Sequence, residues 1–221
     1  DDKDQKKDTD AEYTLTVSFR LKEDMSWADA GHEVAFGQKI YKKIPAFHAS
    51  EKPIRVVHGK VNIGVKGEDF DCLFSMLSGG LVSYRYAGKE MIEKIPMPNF
   101  WRAPVDNDNG SMAPARYAQW KIASMYISHR NGGMFDNVPT KVEEKDNTVT
   151  VTYTYFMPTT PASKCQVAYT VFGDGTIETK LMYDPVEGLP DMPEFGMMFW
   201  FNADYDNLTW YGMGPEETYA D

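Results

Sequence analysis

The sequence contains no apolar run that approaches the roughly 20 residues needed to cross a bilayer. Its first ten residues, DDKDQKKDTD, are charged and lack the apolar segment of a secretory signal peptide. We therefore expect a soluble chain with no membrane partner, and the sequence leaves cytoplasm and periplasm equally open. The opening also lacks a methionine, so we expect a piece of a longer chain.

Basic residues, cysteines and histidines are scarce. Lys and Arg number 23 against 33 Asp and Glu, and the net charge of −10 would repel a phosphate backbone, so we expect no nucleic-acid partner. The two cysteines, Cys72 and Cys165, and the four histidines have no metal-ligand spacing, so we predict no metal site. The absence of a G-x-S-x-G elbow, a G-x-G-x-x-G loop and a phosphate-binding loop excludes the common serine-hydrolase and nucleotide-binding patterns.

Short stretches of alternating apolar and polar residues, typical of β-strands, fill most of the 221 residues. The clearest lies at residues 148–155, where Val and Tyr alternate with Thr, and a similar pattern covers residues 11–21. One helix is predicted, over residues 114–124, with Ser111 before it. Because the other connections are too short for crossover helices, we predict an all-β, mainly antiparallel fold. Further strands are predicted at residues 33–44, 54–57, 61–65, 70–77, 81–86, 90–92, 165–172, 176–183, 196–202 and 207–211.

A connector bounded by Pro45 and Pro53 predicts a domain boundary. We therefore divide the chain into a charged tail at residues 1–10, terminal strands at residues 11–44, a linker at residues 45–53 and a larger β domain at residues 54–221. The length predicts one to two domains, in agreement with this division.

Residues 99–110, NFWRAPVDNDNG, crowd aromatic, cationic and acidic side chains into twelve positions. One interpretation is a structural loop, in which Asp and Asn bond to nearby backbone amides and the arginine pairs with a carboxylate. The other is a binding site, because sugar recognition combines an aromatic platform with planar polar side chains. Both interpretations rest on the same five residues: Trp101, Arg102, Asp106, Asn107 and Asp108.

Residues 210–221, WYGMGPEETYAD, contain the adjacent carboxylates Glu216 and Glu217. A glycosidase needs two carboxyl groups that converge from opposite sides of a bond, roughly 5 to 10 Å apart. Neighbours on an extended chain point to opposite faces, so this pair is better interpreted as solvated side chains of a turn.

These stretches resemble a known family. Residues 99–110 are similar to the FWRAPxDNDxG signature of the large, five-domain bacterial β-galactosidases of glycoside hydrolase family two. Residues 210–221 resemble their later GxGPxExYxDR segment, and residues 27–38, WADAGHEVAFGQ, resemble the W-x-x-A-G-H-x-x-A-x-x-Q stretch that ends their fourth domain. The three matches occur in the family's order and span nearly the whole chain after residue 10.

The resemblance implies a fold and a division of the chain. Residues 11–44 would be the last strands of an immunoglobulin-like β-sandwich. Residues 54–221 would be the N-terminal part of a large antiparallel β-supersandwich of the galactose mutarotase type, incomplete at its C-terminus.

The resemblance also implies where the chemistry lies. The family hydrolyses terminal β-galactosides by a retaining mechanism at a barrel domain that precedes this segment. No catalytic residue and no metal ligand is therefore assigned here, no cofactor is expected in this segment, and the family's magnesium and sodium would be bound in other domains. We expect the segment alone to be inactive and its partners to be the remaining domains of the parent chain, which supply the contact with β-galactosides. We also expect a homo-oligomer, because unpaired strand edges tend to associate.

Two alternatives remain open. The chain could be a standalone carbohydrate-binding module or the small subunit of a split β-galactosidase. A mutarotase-like epimerase that uses His58 or His129 receives no support from their spacing.

Overall fold

A computed structural model describes residues 13–42, 50, 52–130 and 140–210. The chain divides into two compact units, Asp1–Ala49 and Ser50–Asp221. In the part of the chain so described, no helix is long and apolar enough to cross a membrane.

The described part of the first unit is an antiparallel hairpin of β1, Tyr13–Arg20, and β2, Glu33–Lys42. The register pairs Val17 with Gly37 and Ser18 with Phe36, so the apolar residues of β1 lie on the opposite face from those of β2. Leu15, Val17 and Phe19 are exposed. Two strands alone bury neither of their faces, which accounts for the exposure of these residues in the described hairpin.

The second unit begins with a five-stranded antiparallel sheet whose spatial order follows the sequence. Its strands are β3 Arg55–His58, β4 Asn62–Lys66, β5 Phe70–Ser75, β6 Gly80–Tyr86 and β7 Lys89–Glu90.

A short strand and three helices follow. They are β8 Met97–Asn99, α1 Asp106–Gly110, α2 Ala113–Arg116 and α3 Ala118–Tyr126. Pro114 lies in the first turn of α2, as predicted, but the residue before that helix is Met112, not Ser111, and a break at Tyr117 separates α2 from α3.

A four-stranded antiparallel sheet, in the order β12-β11-β10-β9, forms the other layer of the second unit. Its strands are β9 Lys141–Lys145, β10 Thr148–Met157, β11 Ser163–Val171 and β12 Ile177–Tyr183. A further strand, β13 Gly196–Met198, pairs with β8. The alternation predicted for β10 is confirmed, because Val149, Val151, Tyr153 and Tyr155 are buried and the threonines between them are not.

The two larger sheets share one hydrophobic core. Phe74 of β5 and Tyr169 of β11 meet with ring centroids 5.7 Å apart. Other buried side chains include Ile63, Val65, Leu81, Phe100, Trp120, Val167 and Val171. The prediction of a mostly β, mainly antiparallel fold is confirmed.

Three buried tyrosines of the four-stranded sheet donate hydrogen bonds to the backbone opposite. The hydroxyl of Tyr155 donates to the carbonyl of Gly79, and that of Tyr153 donates to Gly80 at 3.3 Å. The hydroxyl of Tyr169 donates to the carbonyl of Pro96, also at 3.3 Å. Pro96 directly precedes β8, so Tyr169 holds the strand that leads into residues 99–110.

Some local predictions are wrong. One interpretation of residues 99–110 was a structural loop, whereas residues 106–110 are helical. Residues 207–210 contain no strand, and residue 211 lies outside the described chain. The strand predicted over residues 196–202 covers only the three residues of β13. β8 and β9 were not predicted.

Candidate functional site

The segment at residues 99–110 is fixed to the core by its first aromatic residue. Phe100 is fully buried, and its ring centroid lies 5.9 Å from that of Trp120 on α3. The backbone N–H of Phe100 donates to Ser124 Oγ at 2.8 Å, and this hydroxyl in turn donates to the carbonyl of Trp120 at 2.9 Å. The helix α3 therefore sets the position from which the following residues leave the core.

Arg102 and Asp108 form a bidentate ion pair. Arg102 Nη1 donates to Asp108 Oδ2 at 2.6 Å, and Nη2 donates to Oδ1 at 3.1 Å. The predicted pairing of the arginine with a carboxylate is confirmed. Because both planar groups are engaged with each other, any ligand that recruits either one must compete with a charge-assisted pair.

Asp108 also explains why α1 forms. Its Oδ2 accepts a hydrogen bond from the backbone N–H of Val105 at 2.9 Å, and this contact caps the N-terminal end of α1. This hydrogen bond, followed by the guanidinium of Arg102, lowers the pKa of the Asp108 carboxyl below its usual value. The expected backbone hydrogen bond of an Asp side chain is present, but it organises a helix instead of a loop.

The other residues proposed from the sequence lie close by. Asp106 and Asn107 are exposed on α1, and Trp101 is half-buried. Asn99 Nδ2 donates to the carbonyl of Trp101 at 2.7 Å and to Glu194 Oε1 at 3.0 Å.

The depression at this segment is small. Its interior volume of about 10 Å³ holds roughly one water molecule, so a pyranose ring does not fit inside it. It is lined by Trp101, Arg102, Pro104, Asp108, Ala113, Pro114, Tyr117 and Pro193. The structure thus brings Trp101, Arg102 and Asp108 together at one depression, and their role in carbohydrate binding or in a domain interface stays a prediction.

Two positions that matter for this geometry were missed by the sequence analysis. Glu194 bonds to Asn99 from 95 residues further along the chain, and Pro190 accepts a hydrogen bond from Trp120 Nε1 at 2.9 Å. No local spacing relates these residues, so no signal in the sequence could have identified them.

A larger concavity, about 260 Å³, lies on the outer face of the five-stranded sheet and was also missed. Gly64 contributes no side chain to its floor, while Val57 and Leu73 give it an apolar part. Arg85 Nη2 and Asp71 Oδ1 pair across it at 2.7 Å. The two neutralise each other, and Lys66 adds one positive charge to the lining.

The remaining sequence candidates give no second site. Glu216 and Glu217 lie outside the described residues. His58 Nε2 lies 2.6 Å from Glu144 Oε1 on an exposed surface, while His129 lies against the turn at Gly79. Within residues 13–42, 50, 52–130 and 140–210, no three His, Cys, Asp or Glu side chains are grouped so that they could hold a metal ion.

Comparison with known proteins identifies relatives along nearly the whole chain. The chain is 42% identical over 212 residues to a β-galactosidase of Clostridium acetobutylicum, and 44% identical over 215 residues to one of Halalkalibacterium halodurans. Each match includes 95% of this chain but only 23% and 20% of the relative. The chain therefore spans about a fifth of the length of these relatives.

A third relative is a shorter protein. The β-galactosidase small subunit of Latilactobacillus sakei is 34% identical over 184 residues, which include 78% of this chain and 58% of that protein.

Two family models match different parts of the chain, and residues 42–65 lie between the two matches. The model for β-galactosidase domain 4 matches residues 1–41, and the model for the β-galactosidase small chain matches residues 66–221. The second match includes more than two thirds of the sequence, and it contains the four-stranded sheet, strands β5 to β7 of the five-stranded sheet and the segment at residues 99–110. On this evidence, the chain belongs to the β-galactosidase small chain family.

Proposed function

We propose that this chain is a non-catalytic segment of a β-galactosidase of glycoside hydrolase family two, and that it supports the catalytic domain, the shape of the active site and the assembly of the enzyme. One observation carries this proposal. A single alignment with each of two β-galactosidases runs through 95% of the chain, across both the domain 4 part and the small-chain part.

The proposal assigns the β1–β2 hairpin to the end of an immunoglobulin-like domain and the second unit to the first part of a mutarotase-like supersandwich. The hairpin supports the first assignment because Leu15, Val17 and Phe19 form an exposed apolar face, which the second sheet of a sandwich would cover. The second is supported by two antiparallel sheets that enclose one core. The boundaries at residues 11–44, 45–53 and 54–221 belong to the same proposal.

For residues 99–110 we favour an interface role over a sugar site. The bidentate contact between Arg102 and Asp108 satisfies both groups internally. The depression beside them, of about 10 Å³, is too small for a sugar ring. Asp106 is exposed and Trp101 is half-exposed on the surface of the same segment, where another domain could contact them.

The parent reaction in this proposal is hydrolysis of terminal β-galactosides with retention of configuration. Its catalytic carboxylates and its magnesium and sodium ligands belong to other domains. The part of the chain that the structure describes offers no grouped carboxylates or histidines that suit such ions. We therefore derive no catalytic step from this chain.

The direct test is hydrolysis of a chromogenic β-galactoside by the purified chain and by the protein isolated with everything that accompanies it in its own cells. We expect turnover only in the second preparation. A control purification from cells that lack the gene corrects for host enzymes. Turnover that follows the isolated chain through successive columns, at constant specific activity, would refute the proposal.

The match to a small subunit of Latilactobacillus sakei favours a second arrangement, in which this segment is a separate chain beside a larger catalytic one. An immunoblot of the source cells distinguishes the two. A band roughly four to five times larger than 25.1 kDa, as the shares of 23% and 20% imply, indicates one long chain. A band near 25.1 kDa indicates a separate chain, and calorimetric titration with galactose and lactose then tests it as a carbohydrate-binding module.

A further inference from the structure

The helix α3 is apolar on two sides. Trp120 and Ala123 point into the core and are almost completely buried, as is Ile127 directly after the helix. The opposite side carries Ile122 and Met125, which are exposed to solvent. A surface helix ordinarily places polar residues on that side, so this one departs from the usual pattern.

The outer face of α3, defined by Ile122, Met125 and Tyr126, forms one continuous patch. These residues are spaced three and four positions apart and therefore lie side by side on the helix. They are 45%, 61% and 63% exposed among the described residues. Lys121 is the only charged residue of the helix, and Arg116 lies at the end of α2 just before it.

The size of the patch indicates what kind of contact it can make. Three large side chains at these exposures present on the order of 400 Å² of surface. A stable interface between two free proteins needs roughly 800 Å² on each partner. The outer face of α3 is therefore too small to hold two free copies of this chain together, but it suits one part of a larger contact with a polypeptide that is attached at other points as well.

We propose that the outer face of α3 docks against the remainder of the β-galactosidase polypeptide, located either on the same chain or on a separate large subunit. The partner surface is apolar opposite Ile122 and Met125, and acidic at its rim, where it meets Lys121 and Arg116. This inference rests on the proposed function, because that function supplies the partner. It goes beyond the proposed function by naming the surface that makes the contact.

Photocrosslinking tests the location of the contact. A benzophenone amino acid replaces Tyr126 in the protein expressed with its neighbouring genes, and the irradiated product is digested and sequenced by mass spectrometry. Tyr86, an exposed tyrosine of β6, provides the matched control position. We expect crosslinks from position 126, at least tenfold stronger than from position 86, to peptides that lie outside residues 1–221. Crosslinks that join position 126 only to another copy, or only to peptides within residues 1–221, would overturn the inference.

Substitution at Met125 tests the energetics. Met125→Asp places a charge in the patch, whereas Met125→Leu keeps an apolar side chain of similar volume. In the isolated chain, both variants should melt within about 2 °C of the unsubstituted protein, because a surface substitution changes little. In the complete enzyme, Met125→Asp should lower activity or recovery of the intact assembly at least tenfold, and Met125→Leu should not. Equal behaviour of the two variants in the complete enzyme would overturn the inference.

The two proposals fail in different ways. If the preparation has β-galactosidase activity but position 126 gives no external crosslink, the docking surface is wrong and the proposed function stands. A preparation with neither β-galactosidase activity nor any further polypeptide, attached or associated, would overturn both.

Discussion

The hydrogen bond from Tyr155 to Gly79 gives the sharpest test of how the two sheets are held together. Tyr155→Phe removes one oxygen atom and keeps the buried ring. Burial raises the pKa of Tyr155, so its hydroxyl remains protonated and donates throughout the ordinary pH range. The substitution leaves the buried carbonyl of Gly79 without the donor that the tyrosine supplied.

The expected loss of stability comes from the carbonyl of Gly79, which loses its hydrogen-bond donor. Removal of one partner of a buried hydrogen bond costs about 1–3 kcal/mol, because the remaining group keeps its desolvation penalty. A domain of 150–250 residues loses about 2–4 °C of melting temperature per kcal/mol. A loss of about 2 kcal/mol should therefore lower the melting temperature of the chain by about 4–8 °C.

The assay is thermal unfolding followed by circular dichroism, repeated in urea to obtain the free energy of unfolding. Tyr126→Phe is the matched control, because the same oxygen is removed from a side chain that is 63% exposed. We expect the control to melt within about 1 °C of the unsubstituted chain. A Tyr155→Phe protein that melts as high as the control would refute the idea that this hydrogen bond joins the sheets.

Three further predictions concern other parts of the second unit. Asp108→Asn should increase hydrogen exchange in residues 105–110 several-fold. In the unsubstituted chain, the protection of these residues should weaken as the pH falls below about 4. The pKa of the Asp108 carboxyl is lowered in the native state, so the ionised group stabilises the native helix above its ordinary pKa, and this stabilisation is lost as the carboxyl is protonated. Protection that is unchanged at about pH 2 would contradict this. Burial raises the pKa values of Cys72 and Cys165 to about 12, so at pH 8 neither thiol should react with a disulfide reagent until the chain is unfolded in guanidinium; a fast-reacting thiol in the native chain would count against the fold. Gly79→Ala should destabilise the chain by more than the roughly 1–2 kcal/mol that a left-handed backbone conformation costs, since φ is +74° and the added Cβ would lie 2.2 Å from the ring of His129. A second substitution, His129→Ala, should recover part of this loss. If the effects of the two substitutions on the free energy of unfolding were strictly additive, a clash between the added Cβ at position 79 and the histidine would be excluded.

The alternation of apolar and polar residues predicted the strands best where one face of the strand is buried and the other faces solvent. In β10 the strict alternation of Thr with Val and Tyr reflects this environment directly, so a period of two was sufficient. β9, with the sequence KVEEK, has a single apolar residue, and β8 is three residues long with Pro98 at its centre. Both form because neighbouring strands supply hydrogen-bond partners, which is information that a local window does not contain.

In the candidate site, too, the features that depend on nearby residues could be predicted, and those that depend on the tertiary fold could not. Arg102 and Asp108 are six positions apart, so proximity along the chain was enough to predict that the arginine pairs with a carboxylate, although not which one. The helix α1 was missed because Asp and Asn are poor helix formers, and only the capping contact from Asp108 to Val105 makes the turn favourable. Glu194 and Pro190 could not be predicted, because the tertiary fold alone brings them near Asn99 and Trp120.

The contact between Asn99 and Glu194 has a consequence for the order in which the protein can be built. The 95 residues between them take about 5–20 s to synthesise at ordinary ribosome speeds. When residues 99–110 emerge from the ribosome, the strand β13, the carbonyl of Pro190 and the carboxylate of Glu194 have not yet been synthesised. Phe100 and Trp120 can therefore complete their packing only after those later residues have been made, because the rings of Phe195 and Tyr183 lie 6.2 Å and 5.9 Å from them.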